Sequence, residues 1–227
     1  FRIDPKFPEL TTSAYYKTGY DRGHMAPNYA IMTRYGRKAQ FDSFYMTNMV
    51  PMHPSVNRGI WAGLEQTIAR QYANAFQRVW IITGPIFKGN RELLKSGVEI
   101  PDAFYKIIID EKEEDLRALS FIIENKQPFE NDRDKYLVTI DKIENLVGLD
   151  FLHLLDDRTE IKLESFQATS FWQVDANISE TKNISQTKNP KINKALITCE
   201  TKVAEAIRNK DDFSKIEGIN RLTRLNL

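Results

Sequence analysis

The run Gly19-Tyr20-Asp21-Arg22-Gly23-His24-Met25-Ala26-Pro27 puts an acid, a guanidinium and an imidazole within four residues, at a glycine that lets backbone approach a ligand. An imidazole with an ordinary pKa of about 6.5 is largely neutral near pH 8 and able to accept a proton from water. A guanidinium beside it offers charge-assisted hydrogen bonds to an anion. Alone the string is only suggestive, because a solitary histidine is more often structural than catalytic. The other two histidines, His53 and His153, read as structural, although His53 between Pro51 and Pro54 leaves a substrate contact open. Asp21 reads as a local partner that shapes the turn rather than as a metal ligand.

Two further runs add weight. Thr47-Asn48-Met49-Val50-Pro51 follows a predicted strand, and Asn57-Arg58-Gly59-Ile60-Trp61-Ala62-Gly63-Leu64-Glu65 opens a predicted helix. At about 100° per residue, Asn57 and Glu65 are separated by two turns plus about 80°, so both can face one side of the helix from levels about 12 Å apart. Glu65 then reaches a metal at the helix start only through water. One neutral amide oxygen is a weak anchor for a hard cation. Magnesium tolerates it by keeping several waters and taking phosphate oxygens from the substrate.

The elements that must hold these residues follow from periodicity. Ile60, Leu64, Ile68, Tyr72 and Phe76 recur every fourth residue and predict an amphipathic helix over about 57–77. Gly59 and Gly63 each weaken its first turns by roughly 1 kcal/mol relative to alanine, which suggests a close approach at that end. Strands are predicted at 44–47, 79–83, 104–110 and 116–123, each rich in β-branched or aromatic residues. A second helix is predicted at 141–148, with Gly148 in the capping position. Trp61 and Leu64 read as core. The order of elements indicates an α+β domain. From Asp175 to Asn193 apolar residues are too few to fold alone, and a docking helix is expected over about 194–209. The organisation expected is therefore a domain at 1–172, a polar linker or loop at 173–193 and a helical appendage at 194–227.

Composition narrows the class. The 227 residues are 41% hydrophobic and 28% charged, and no apolar run approaches the ~18 residues of a membrane span. A single cysteine, Cys199, rules out an internal disulfide within the chain and a cysteine-rich zinc site, and reads as a small buried apolar residue. The net charge of +1 hides a split. Residues 1–110 hold 14 basic and 9 acidic side chains, residues 111–175 hold 8 and 16, and residues 176–227 hold 10 and 6. A polyanion should prefer the first stretch.

Together, D-R-G-H, T-N-M-x-P and N-R-G-x-W-x-x-L-E resemble the DNA/RNA non-specific endonuclease family with its ββα-metal finger. The resemblance continues through Thr83-Gly84-Pro85-Ile86-Phe87, Ile100-Pro101-Asp102-Ala103-Phe104-Tyr105-Lys106 and Val138-Thr139-Ile140-Asp141-Lys142-Ile143-Glu144, and covers about residues 1–155. It implies a mixed, mainly antiparallel sheet with a ββα-metal motif and flanking helices. It also implies roles: His24 as general base, Asn57 as direct magnesium ligand and Glu65 as the holder of water at the metal. By the same resemblance Arg22 contacts the phosphate and transition state, and Asn48 positions the histidine or the substrate. Some relatives carry an arginine four residues after the glutamate, where this chain has Ala69 followed by Arg70. Arg58 and Arg70 are the candidates to replace it.

The expected activity is magnesium-dependent hydrolysis of DNA and RNA to 5′-phosphate ends, with Mn2+ able to substitute. The partners are the two nucleic acids, held mainly through phosphate by Arg34, Arg37, Arg58 and Arg70, with Lys38 a further candidate. A homodimer and an inhibitor protein are open as further partners. Rival readings are an inactive nucleic-acid-binding relative and a phosphodiesterase for small nucleotide esters. Because an unspecific nuclease in the cytoplasm endangers its own genome, an extracytoplasmic location is expected ahead of an organelle.

Overall fold

A computed structural model describes residues 1–76, 79–89, 91–110, 116–126 and 132–174. The predicted appendage at 194–209 and most of the linker lie outside them. Strand β1 (Asp21–His24) is followed by helix α1 (Asn28–Asp42) and strand β2 (Met49–Met52). Five consecutive helical segments, Pro54–Val56, Asn57–Trp61, Ala62–Thr67, Ile68–Tyr72 and Ala73–Ala75, form one long helix, α2 (54–75). Then come β3 (Val79–Ile86), β4 (Glu92–Leu93), β5 (Glu99–Ile100), β6 (Ala103–Asp110), β7 (Arg117–Glu124), β8 (Leu137–Val138), α3 (Ile140–Val147) and α4 (Asp157–Glu164).

The main sheet is antiparallel, in the order β3-β6-β7-β8. Its central strand β6 is buried along its whole length, so alternate residues enter two different cores. Phe104 and Ile108 pack with Trp61, Leu64, Ile68 and Tyr72 of α2. Tyr105, Ile107 and Ile109 pack with Ile140, Ile143 and Val147 of α3 and Leu163 of α4. The result is a helix on one face of the sheet and two on the other. Ala168, Phe171, Trp172 and Val174 also lie against the α2 core. Arg117 ties that end down, its guanidinium 4.6 Å from the Phe76 ring and 4.4 Å from the Trp172 ring.

Helix α3 ends on the capping glycine the sequence implies, and the structure adds an N-cap. Thr139 accepts from the Lys142 N–H, and Gly148 ends the helix in the left-handed region at φ 67°. The strands predicted at 79–83, 104–110 and 116–123 are present as β3, β6 and β7. The strand predicted at 44–47 is not. Tyr45 makes only an isolated bridge with Arg2, Met46–Asn48 is a 3-10 turn, and the strand begins at Met49. Pro51, which has no N–H to give a ladder, masked the strand in the sequence. Helices α1 and α4 were not anticipated either; no residue of α1 is buried, so it carries no apolar stripe.

Candidate active site

Strands β1 and β2 form a separate antiparallel pair, with Arg22 opposite Pro51, Gly23 opposite Val50 and His24 opposite Met49. The alternation of a strand puts Arg22 and His24 on the same face. Gly23 is required by packing. A Cβ at this position would stand 2.7 Å from Met52 Cβ and 2.8 Å from its Cε, and Met52 is wholly buried. A Cβ on Gly63 would meet no protein atom within 4 Å.

Asn48 binds the turn that follows His24. Its Oδ1 accepts from the Ala26 N–H at 2.9 Å, and its Nδ2 donates to Ala26 O at 3.0 Å and Ser43 O at 2.8 Å. Both ends of this amide are thus committed to backbone, which ties the turn after His24 to the segment that leads into β2. The His24 ring packs edge-on to Phe44, with centroids 5.2 Å apart. Its Nε2 is sealed from solvent without a hydrogen-bond partner. Burial disfavours the imidazolium and holds this histidine below its ordinary pKa.

The long helix docks on β1 at two points. Trp61 Nε1 donates to the His24 carbonyl at 3.2 Å, and Asn57 Nδ2 donates to Asp21 Oδ2 at 2.9 Å. Asp21 therefore dictates which way the Asn57 amide faces: nitrogen toward the carboxylate, Oδ1 away from it. Arg58 completes the clamp through Nε at 2.8 Å and a second nitrogen at 2.6 Å on the same carboxylate. These partners hold the Asp21 carboxyl below the usual range, the Arg58 hydrogen bonds first among the causes. Asp21 is a hydrogen-bond partner as expected, but it reaches across to α2 rather than within its own turn. Arg58 is paired with Asp21 while its side chain stays 73% exposed.

Glu65 stands one turn beyond Trp61, and its Oε1 is sealed from solvent with no partner. Burial raises its pKa, while the charge of Lys106 and a hydrogen bond to Trp61 act in the opposite direction. Arg22 donates to Thr12 O at 3.1 Å and its guanidinium lies 4.7 Å from the Phe1 ring, which leaves a sealed Nε without a partner. Arg70 extends over Tyr29, 5.4 Å from the ring, and so toward the segment that follows His24. Arg34 and Arg37 are exposed on α1. His53 is structural: its Nδ1 caps the start of α2 by accepting from the Ser55 N–H.

Two buried polar residues were missed by sequence reasoning. Asn125 donates to Pro51 O and Pro101 O at 2.9 Å each and accepts from the His53 N–H at 2.7 Å, joining the β1–β2 pair to the main sheet. Lys106 lies under α2 with its Nζ 4.0 Å from the centre of the Trp61 ring. Nothing in the sequence marked Asn125. A charged residue within the apolar run of β6 was a visible signal for Lys106.

Residues 1–158 match the family described as DNA/RNA non-specific endonuclease. The chain belongs to this family. Among similar proteins, the mitochondrial nuclease EXOG of Danio rerio is 32% identical over 173 residues, which is 68% of this chain and 50% of the relative. A nuclease of Nostoc sp. (strain PCC 7120) is 32% identical over 178 residues, 73% of this chain and 64% of the relative. Human mitochondrial endonuclease G is 30% identical over 159 residues, 64% of this chain and 52% of the relative. A solved structure of the EndoG/EndoGI complex, described in terms of EndoG inhibition, matches with a TM-score of 0.59 and 28% identity over 66% of this chain and 65% of that one. The chain thus spans about half to two thirds of the length of these nucleases. Its mixed helices and antiparallel sheets, with the strand pair and long helix carrying the site, are the family's ββα-metal fold.

Proposed function

We propose that this chain is a divalent-metal-dependent endonuclease that hydrolyses phosphodiester bonds in both DNA and RNA. Its metal is magnesium, replaceable by manganese. The observation that carries this reading is the Asp21 clamp, which turns Asn57 Oδ1 outward on a helix docked against the His24 strand. The donors suit a hard cation: an amide oxygen aimed by its own nitrogen's hydrogen bond, and the unpartnered Glu65 Oε1. Asn57 would hold the metal directly and Glu65 would hold water beside it.

When bound, the metal supplies positive charge to the phosphate oxygens and to the departing 3′ oxygen. The protein's residues do the rest. His24, kept neutral by burial, takes a proton from the attacking water as the new O–P bond forms. Arg22, stacked on Phe1 and anchored by one hydrogen bond to Thr12 O, keeps further N–H groups of its guanidinium for the phosphate. Cleavage of the P–O3′ bond leaves a 5′-phosphate and a 3′-hydroxyl. Because water and not the 2′-hydroxyl is the nucleophile, both sugars are accepted. Contacts to phosphate carry no base information, so cleavage is unspecific in sequence. Arg34, Arg37 and Arg70 supply these contacts, and Arg58 acts by holding Asp21.

An inhibitor protein, as the EndoG/EndoGI complex shows for that relative, is the partner that fits an enzyme of this hazard. Mitochondrial relatives stand beside the Nostoc nuclease, so an organelle now weighs equally with export. The test is cleavage of single- and double-stranded DNA and RNA with Mg2+, with Mn2+ and with EDTA. All four polymers should be cut to 5′-phosphate ends, and EDTA should stop the reaction. Intact polymers in both metals overturn the reading.

A further inference from the structure

Lys106 is the one buried lysine or arginine among the described residues, and it is completely inaccessible. It lies on the row Phe104, Lys106, Ile108 of β6, which faces α2. Its Nζ has no hydrogen-bond partner, and neither has Glu65 Oε1, whose charge bears on it. A buried ammonium is costly, and an apolar side chain of similar length usually packs as well or better in such a place. Packing therefore does not account for a lysine here.

What Lys106 touches is the connection between the parts of the site. A cation against an indole face withdraws electron density from the ring and makes its N–H a stronger donor. That N–H is the one that donates to the His24 carbonyl and also faces Glu65. We infer that Lys106 is a positioning residue of the nuclease site: held over Trp61, it fixes the indole and the Glu65 carboxylate so that the oxygen donors beside His24 are preformed. This rests on the reading of Glu65 as the residue that holds water at the metal.

The test uses Lys106→Met, Glu65→Gln and the double variant in the full chain. Each is melted without metal, titrated with Mn2+ without nucleic acid by electron paramagnetic resonance, and then assayed for cleavage. Lys106→Met should weaken Mn2+ binding by about tenfold or more and lower kcat, with KM for DNA unchanged, as loss of an outer partner does at metal sites. In the Glu65→Gln background the same change should add less than about twofold, because the two residues act as one unit. A folded Lys106→Met protein with wild-type Mn2+ affinity overturns the inference, as do fully additive losses in the double variant. Should Lys106→Met not fold, the metal-free melt of Glu65→Gln decides. A lowered Tm shows that the ammonium has lost its counter-charge; a raised Tm shows that Glu65 was merely buried and overturns the inference. Failure of the site reading itself looks different: Asn57→Ala would keep full Mn2+ affinity, whatever Lys106→Met does.

Discussion

At the scale of single residues, the site is governed by groups that aim other groups. Asp21 holds the Asn57 nitrogen and so decides which atom of Asn57 is presented. Asn57→Ala should abolish the metal response, and metal titration of cleavage checks this; an unchanged titration counts against Asn57 as ligand. His24→Ala should fold and lose at least about a hundredfold in kcat. The pH dependence has a defined sign. Burial lowers the His24 pKa, so the neutral, proton-accepting form persists to lower pH than in a free imidazole. The acid limb of kcat/KM should therefore fall below about 6.5, and a limb above that value removes His24 as the base. The motifs that carry His24, Asn48, Asn57 and Glu65 were legible in the sequence because they are local. The aiming partners were not, since Asn125 lies 74 residues from Pro51, whose carbonyl it bonds, and no local pattern records such a contact.

At the scale of elements, the strongly periodic segments were readable and the weakly periodic ones were not. Helix α3 shows its capping glycine, Gly148, in the sequence. Helix α1 shows no such signal, and Gly36 interrupts it with φ 81°. On the far face of the sheet, α3 and α4 bring the carboxylates of Asp141, Glu144 and Glu164 together, and Glu164 also meets Asp150 and Glu160. Burial, followed by repulsion from Glu144 and Glu160, pushes Glu164 up to about 8. A carboxyl raised in the folded state favours folding when protonated. Its contribution is complete below the unfolded value near 4.5 and is lost as pH rises through about 8. Thermal melts should therefore show Tm declining across that interval. Glu164→Gln should flatten the decline and raise Tm at pH 8 by about 2–4 °C, the shift that roughly 1 kcal/mol produces in a domain of this size. An unaltered slope in that variant would show that Glu164 is not protonated in the fold.

At the scale of the whole molecule, charge is separated along the chain rather than accumulated. The first 110 residues carry a net +5 and contain every site residue, whereas residues 111–175 carry −8. Arg34, Arg37 and Lys38 stand exposed on α1, which starts four residues after His24. A polyanion held by such cations releases counterions, so KM should climb steeply with salt, by about 0.9 log unit per decade for each duplex phosphate neutralised. Replacing Arg34 or Arg37 with alanine should reduce that slope by about 1 and leave cleavage unspecific in sequence. A salt-independent KM would exclude phosphate-led binding. The charge split was readable from composition, whereas the three-layer arrangement around β6 became visible only when its two alternating rows were assigned to separate cores.

The segments Asn57–Trp61 and Ile68–Tyr72 of the long helix are wide π turns. Residues four apart drift by about 40° per step on a regular α-helix, so the apolar row from Ile60 to Phe76 would wind some 160° around it. It stays on the core instead, with Ile60, Leu64, Ile68 and Tyr72 all buried, because the wide turns absorb the surplus length. The second wide turn lies between Glu65 and Tyr72 and carries Arg70, whose guanidinium lies 5.4 Å from the Tyr29 ring. A helix that widens at two places can keep one row of four-residue spacing seated against a sheet along its whole length, so this molecule fits a straight row of side chains where a regular helix would have had to turn them away.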